Sequence, residues 1–248
     1  MISEKAFANE FSGFWSEALP FLTPQVIAEL NLSGTAMGDG RRQWVKPLIG
    51  SGDNSNNDVI AETSFGLFAE SLKSGRPVAE LCEESDLIQR VKESAIGRIL
   101  GLRREGLPRT HRAHPNTEEA VALAKRLEVY FEYCPVESIC IQPRFRGCGI
   151  LDSCNGDILA EKNLIELKMV DRNLRSADIR QVLVYCALNH RSLQYEIDRV
   201  TILNPRRGLE FAFGVEELTE RTSGKTSSEL FHQISTFLAD FETVHQPS

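Results

Sequence analysis

The stretch GDILAEKNLIELK, residues 156–168, places charged side chains inside two short apolar runs. With a two-residue turn at Lys162–Asn163, the runs are predicted to pair as an antiparallel hairpin in which Asp157 lies opposite Lys168. Because alternate residues of a strand share a face, Asp157, Glu166 and Lys168 are predicted to point the same way. The reverse face is apolar throughout: Ile158, Ala160, Ile165 and Leu167.

Two interpretations of this charged face are open. A solvated surface ion pair would contribute at most about 1 kcal/mol and would have no chemical role. Alternatively, the two carboxylates hold Mg²⁺, which prefers oxygen ligands and keeps several waters. The lysine would then position an attacking water or neutralise charge that develops on a phosphate.

The surrounding residues resemble a known family. Asp157 followed by Glu166-Leu-Lys168 resembles the signature of the PD-(D/E)XK nuclease superfamily, in which an aspartate opens one hairpin strand and (D/E)-x-K closes the next. The segment SADIRQVLVYCALN, which reads as a helix, contains Gln181 and Tyr185 four residues apart on one face. This pair is similar to the Gln-xxx-Tyr element of the RecB-like branch. The resemblance spans about residues 116–215, and Gly156 stands where the family often has proline.

The resemblance implies a restriction-endonuclease-like fold and a hydrolytic mechanism. Asp157 and Glu166 would bind Mg²⁺ or Mn²⁺, and Lys168 would orient a water for in-line attack on a phosphodiester. Gln181 and Tyr185 would support this site or contact the nucleic-acid backbone.

The family also supplies a further acidic residue from the helix before the sheet. Glu119 is the candidate for this third metal ligand, with Glu118 and Glu128 as alternatives. Asp152, in GILDS, is an alternative to Asp157 as the aspartate ligand.

The net charge of the chain limits how it could bind a nucleic acid. The chain has a formal net charge of -7 and an isoelectric point near 5.4, so a nucleic acid has to be met by a local basic patch. Arg172 and Arg175 follow the lysine directly and are the candidate nucleic-acid-binding residues, with DNA favoured over RNA. Further basic clusters occur at Arg41, Arg42 and Lys46, at Arg98, Arg103, Arg104, Arg109 and Arg112, and at Arg206 and Arg207.

The organisation of the chain favours an α/β protein. Of the 248 residues, 42% are hydrophobic and 25% charged, as in ordinary soluble proteins. Residues 1–110 are predicted to form an all-helical region with a glycine-rich and asparagine-rich loop at residues 34–58. Residues 111–248 mix helices with short strands and are predicted to form the nuclease-like domain, with a central mixed sheet flanked by helices.

Location and redox state follow from absences in the sequence. No apolar run reaches the roughly 20 residues of a membrane span, and the first residues do not read as a signal peptide. A cytoplasmic location is therefore expected. The six cysteines have no metal-site spacing and are interpreted as reduced thiols.

Two functions are predicted. The first is a metal-dependent DNA nuclease in bacterial antiviral defence or DNA repair, and the second is an inactive nuclease-like subunit that binds within a larger complex. The N-terminal region could serve as a DNA clamp, a homodimerisation element or a docking surface for a protein partner. Because the chain has no GxxxxGK[ST] loop, an ATPase partner would be a separate protein.

Overall fold

Helices prevail in the first half of the chain and alternate with strands in the second. The computed structural model describes residues 1–32, 40–49, 56–102 and 116–244. The helices are α1 (Glu4–Glu10), α2 (Ser12–Ala18), α3 (Pro24–Leu32), α4 (Asn57–Ser74), α5 (Val78–Leu81), α6 (Ser85–Leu102), α7 (Thr117–Tyr133), α8 (Ser176–Ser192), α9 (Val215–Ser223) and α10 (Ser227–Val244). The strands are β1 (Gly40–Gln43), β2 (Ile139–Ile141), β3 (Arg144–Phe145), β4 (Cys154–Asn155), β5 (Ile158–Ala160), β6 (Asn163–Leu167), β7 (Arg199–Asn204) and β8 (Leu209–Gly214).

A mixed sheet forms the centre of the molecule. Its six strands follow the order β1-β8-β7-β6-β5-β2, and a separate two-stranded sheet pairs β3 with β4. β6 and β7 run parallel, while the other neighbours in the large sheet run antiparallel. Parallel neighbours need a long crossover, and α8 provides it between β6 and β7. The expected α/β class, with a central mixed sheet between helices, is confirmed.

The hairpin of β5 and β6 differs from its predicted register. Leu159 pairs with Leu164 and Ala160 pairs with Asn163, so the turn lies at Glu161 and Lys162. The predicted turn at Lys162–Asn163 is therefore wrong. Glu161 adopts a φ of 54°, a left-handed conformation that is uncommon outside glycine and asparagine. Its carboxylate accepts a hydrogen bond from the Glu137 backbone N–H at 3.1 Å, which holds the turn against the segment before β2.

The corrected pairing leaves the two faces of the hairpin as predicted. A shift of two residues preserves the side to which each residue points, because the strand repeat is two. Extending the observed register by one pair sets Asp157 opposite Glu166 instead of Lys168. The two carboxylates are therefore direct cross-strand neighbours.

Helices cover both faces of the sheet. On one face, α1, α2, α8 and α10 pack on a cluster that includes Leu159, Leu164 and Val200. On the other face, α4 and α7 pack on a cluster that includes Ile158, Ile165 and Leu203. The charged face of the hairpin is the one directed toward α8.

The N-terminal region is not all-helical, which corrects the prediction for residues 1–110. Residues 40–43, predicted as loop, form β1 and pair with β8 at the edge of the sheet. Arg42 donates from Nε to Glu210 at 2.7 Å across this pair. The sequence GRRQ has no apolar alternation, so the strand depends on ladder hydrogen bonds and this ion pair rather than on burial. The predicted boundary near residue 110 lies outside the described residues.

Two smaller expectations concern thiols and membranes. The six cysteines form no disulfide; Cys148 and Cys186 are buried, whereas Cys140 is exposed. None of the helices in the described segments has the length and apolar character needed to cross a bilayer.

Candidate active site

A cavity of about 410 Å³ lies at the carboxyl end of β6. The hairpin contributes both carboxylates and the lysine, while α1 and α4 close the opposite side. Its charged lining residues are Lys5, Asp58, Glu62, Asp157, Glu166, Lys168 and Arg172. Its apolar wall includes Phe65, Ile99 and Met169. The structure thus brings the three predicted hairpin residues into one cavity.

The carboxylate of Glu166 is buried and only half satisfied. The residue is 3% exposed, and its Oε1 accepts a hydrogen bond from Lys168 Nζ at 2.8 Å. Its Oε2 is buried and has no hydrogen-bond partner in the described part of the chain. A buried charged oxygen without a partner is unfavourable. The interpretation as a solvated surface ion pair is excluded by this burial.

Asp157 lies beside Glu166 on the same face of the hairpin. Its Oδ2 accepts from the Leu167 backbone N–H at 2.7 Å. Burial, and then the negative charge of Glu166, raise the pKa of Asp157 well above its ordinary value. Asp157 therefore holds its proton to a higher pH than an ordinary aspartate, and a divalent cation bound there would compete with that proton.

Lys168 is held by two hydrogen-bond acceptors and one further carboxylate. Its Nζ donates to Glu166 at 2.8 Å and to Gln181 Oε1 at 2.7 Å, and it lies 3.7 Å from Asp178 Oδ1. Burial lowers the pKa of Lys168, but the neighbouring carboxylates outweigh burial and the pKa is raised above its ordinary value. The side chain therefore stays an ammonium, which supplies positive charge and a hydrogen-bond donor but does not act as a base.

Side chains of α8 hold Lys168 in place through a series of hydrogen bonds. Gln181 and Tyr185 lie one turn apart, and Gln181 Nε2 donates to Tyr185 Oη at 3.0 Å. Both groups donate to Glu4 Oε1, at 3.4 Å and 3.3 Å. The Tyr185 ring also stacks on Phe145 with centroids 5.3 Å apart. Lys168 is thus tied through α8 to the first turn of α1.

The phenol at the end of this chain is a donor. Burial, followed by the charge of Glu166, raises the pKa of Tyr185 well above its ordinary value. The hydroxyl therefore keeps its proton and can donate to Glu4.

Asp178 organises the two arginines that follow the hairpin. Arg172 binds its carboxylate with two hydrogen bonds, at 2.6 Å and 2.7 Å, and the Arg175 backbone N–H donates to it at 2.9 Å. Burial raises the pKa of Asp178, but the Arg172 hydrogen bonds outweigh it and the pKa is lowered. Arg172 lines the cavity, whereas the exposed Arg175 does not belong to the cavity lining.

Glu119 lies outside the cavity lining. It is buried on the α7 side of the sheet and forms an ion pair with Arg206 of the β7–β8 turn. Arg206 Nε in turn donates to the Met169 carbonyl at 3.0 Å. Of the alternatives, Glu118 is exposed and Glu128 accepts from the Val78 backbone N–H at 2.9 Å.

The two aspartate candidates occupy different environments. Asp152 is exposed and is not a lining residue, whereas Asp157 lines the cavity. Of the other basic clusters, Arg42 pairs with Glu210, while Arg103, Arg104, Arg109 and Arg112 lie outside the described residues.

Several residues of the site carry no signal in the sequence. Glu4 and Asp178 are ordinary first-turn acids of their helices, a pattern explained by the helix dipole alone. Asp58 and Glu62 lie on α4, far from the hairpin in sequence. The packing of α4 on α7 brings Asp58 and Glu62 to the cavity, while the packing of α1 on α8 brings Glu4 to Gln181 and Tyr185.

The donor set fits an ion that uses few protein ligands. Within the described segments, no group of three or more His, Cys, Asp or Glu side chains is arranged to hold a metal ion. Mg²⁺ commonly uses one or two carboxylates and keeps its remaining waters, and the partnerless oxygen of Glu166 is free to bind it. No protein-family model, curated protein or solved structure significantly matches this chain.

Proposed function

We propose that this protein is a metal-dependent nuclease that hydrolyses phosphodiester bonds in DNA. The observation that carries the proposal is the carboxylate pair. Glu166 has a buried oxygen without a partner, and Asp157 beside it has a raised pKa. They lie with Lys168 in one cavity, where the two carboxylates can bind a divalent cation.

The order of the elements supports a restriction-endonuclease-like core. α7 is followed by β2, then by the β5–β6 hairpin, the crossover helix α8 and the parallel strand β7. This succession agrees with the PD-(D/E)XK resemblance and with its RecB-like branch. We propose this fold family for the core of residues 117–204.

Each residue of the site receives a role in this proposal. Asp157 and Glu166 hold Mg²⁺ or Mn²⁺, and a bound ion supplies Lewis-acid stabilisation and acidifies a coordinated water. Lys168 places its ammonium against the charge that develops on the scissile phosphate. Gln181 and Tyr185 keep Lys168 in position, because they connect it by hydrogen bonds to α8.

Cleavage assays with Lys168→Ala test the proposal. The wild type is expected to cut linear, supercoiled or single-stranded DNA in Mg²⁺ or Mn²⁺ but not in EDTA. Loss of Lys168 should lower the rate by about 100-fold or more, the usual effect of removing one group that stabilises transition-state charge. Circular dichroism would check that the variant is folded.

Lys162→Ala is the matched control. Lys162 lies in the turn of the same hairpin, is 58% exposed and pairs with Glu196 at 2.7 Å. Its removal should leave cleavage unchanged. Full activity of Lys168→Ala would contradict the catalytic assignment. Binding of DNA without cleavage in any divalent ion would instead favour the inactive binding subunit of a larger complex.

A further inference from the structure

A cationic groove runs between α4 and α6. It has a volume of about 410 Å³ and is lined by Lys73, Arg90 and Arg98 against a single acid, Glu70. Lys73 lies 3.7 Å from Glu70 and Arg98 binds Glu62, so with Arg90 the groove keeps a net positive charge, whereas the whole chain has a formal charge of -7. This local excess of positive charge favours an anionic ligand in the groove.

The spacing of these cations is fixed by close helix packing. A Cβ placed on Gly66 of α4 would lie 2.7 Å from Val91 Cγ1 of α6, so the two helices meet without room for a side chain. The cations themselves stay accessible, with 79% of the Lys73 side chain and 40% of the Arg98 side chain exposed.

The groove adjoins the candidate active site. Arg98 Nε donates to Glu62 Oε2 at 3.2 Å, and Glu62 lines the cavity that contains Asp157. Ile99, the next residue of α6, lines that cavity as well. The two depressions thus share one wall, formed by α4 and α6.

We propose that this α4–α6 groove binds the phosphate backbone of a single DNA strand and leads the strand to the cavity. This inference rests on the proposed nuclease function. It names a single strand because Glu166 is only 3% exposed, so the scissile phosphate has to enter the cavity. A cavity of about 410 Å³ has the size of a small-molecule site and admits an extended strand but not a paired duplex.

Salt-dependent binding tests the groove without relying on cleavage. A labelled single-stranded oligonucleotide is titrated in EDTA at several salt concentrations with the wild type, with Lys73→Gln/Arg90→Gln, and with Arg221→Gln. For single strands the logarithmic salt slope changes by about 0.7 per phosphate contact, so the double variant should lose about 1.4 from its slope. Arg221 is the matched control, because it is 49% exposed and pairs with Glu217 on α9.

Each outcome separates the groove from the nuclease proposal. No binding by the wild type, or an unchanged slope in the double variant, would overturn the groove. Cleavage in Mg²⁺ together with an unchanged slope would leave the nuclease intact and reject only the groove. Groove-dependent binding without any cleavage would support the groove and reject the nuclease. A closed circular duplex cut as fast as the single strand would overturn the preference for a single strand.

Discussion

Asp157 and Glu166 lie side by side in a buried position and thereby oppose folding. Because the pKa of Asp157 is raised above its ordinary value of 3.8, the folded protein keeps a proton that the unfolded chain has already released. The free energy of unfolding must therefore fall as the pH rises from about 4 toward the raised value. Catalytic sites commonly lower stability in this way.

Replacing Asp157 by Asn should stabilise the protein in the absence of divalent ions. The amide carbonyl can still accept from the Leu167 N–H, while the repulsion by Glu166 disappears. We expect a gain of about 1 kcal/mol at neutral pH, with little gain at pH 4, by urea denaturation at both pH values. The exposed Asp152→Asn is the control and should change little. A destabilised Asp157→Asn protein at neutral pH would contradict the raised pKa.

Among single residues, the sequence predicted those that share one face of a strand or of a helix. Asp157, Glu166 and Lys168 share a strand face, and Gln181 and Tyr185 share a helix face, so simple periodicity predicted both groups. Glu4 could not be predicted, because its partner Gln181 is 177 residues away.

Between elements, the buried pair of Glu119 and Arg206 connects the start of α7 to the β7–β8 turn. Both side chains are 5% exposed, so neither charge can be compensated by water when the other is removed. Arg206 also donates to the Met169 carbonyl beside the cavity. Glu119 therefore has a structural role, which its position in the first turn of α7 does not reveal.

Glu119→Ala should therefore destabilise the fold by about 3 kcal/mol or more, because it leaves the Arg206 charge buried alone. The double replacement Glu119→Leu/Arg206→Met should recover much of this loss, since neither charge remains. Chemical denaturation of the three proteins measures both effects. Calorimetric titration with Mg²⁺ should find binding retained in the double variant, and loss of binding there would restore Glu119 as a metal ligand.

The elements themselves were predictable to different degrees. The Asn116 side chain accepts from the Glu119 N–H at 3.2 Å and caps α7, a contact over three residues that a sequence pattern can indicate. β1 was not predictable, because its four residues have no apolar alternation and pair with β8, far along the chain. The hairpin turn was misplaced because Glu161 adopts a positive φ that its residue type does not favour.

Over the whole molecule, the N-terminal helices belong to the same hydrophobic clusters as the strands. Phe7 and Trp15 are fully buried in the cluster with α8, while Phe65 and Phe68 are buried in the cluster with α7. These aromatic residues lie far along the chain from the elements they cover, so their local sequence does not show which surfaces they pack on. The folded core thus needs residues from both halves of the chain.

A fragment of residues 111–248 should consequently fail to fold on its own. It would expose the surfaces of α7 and α8 that these aromatic residues cover, and a core that loses this much apolar burial is not stable. Urea denaturation followed by circular dichroism should show no cooperative transition for the fragment. Addition of a separate fragment of residues 1–110 should restore one. A cooperative transition of the isolated fragment would mean that the second half is an independent domain.

The hydrogen bonds from α8 to Glu4 also bear on how the protein is made. Glu4 is synthesised 177 residues before Gln181, so it finds its partners on α8 only after that stretch has been translated. Contacts of such long sequence separation close late in folding. Lys168 can therefore be held between α8 and α1 only after the segment that carries Gln181 and Tyr185 has been translated and has packed on α1.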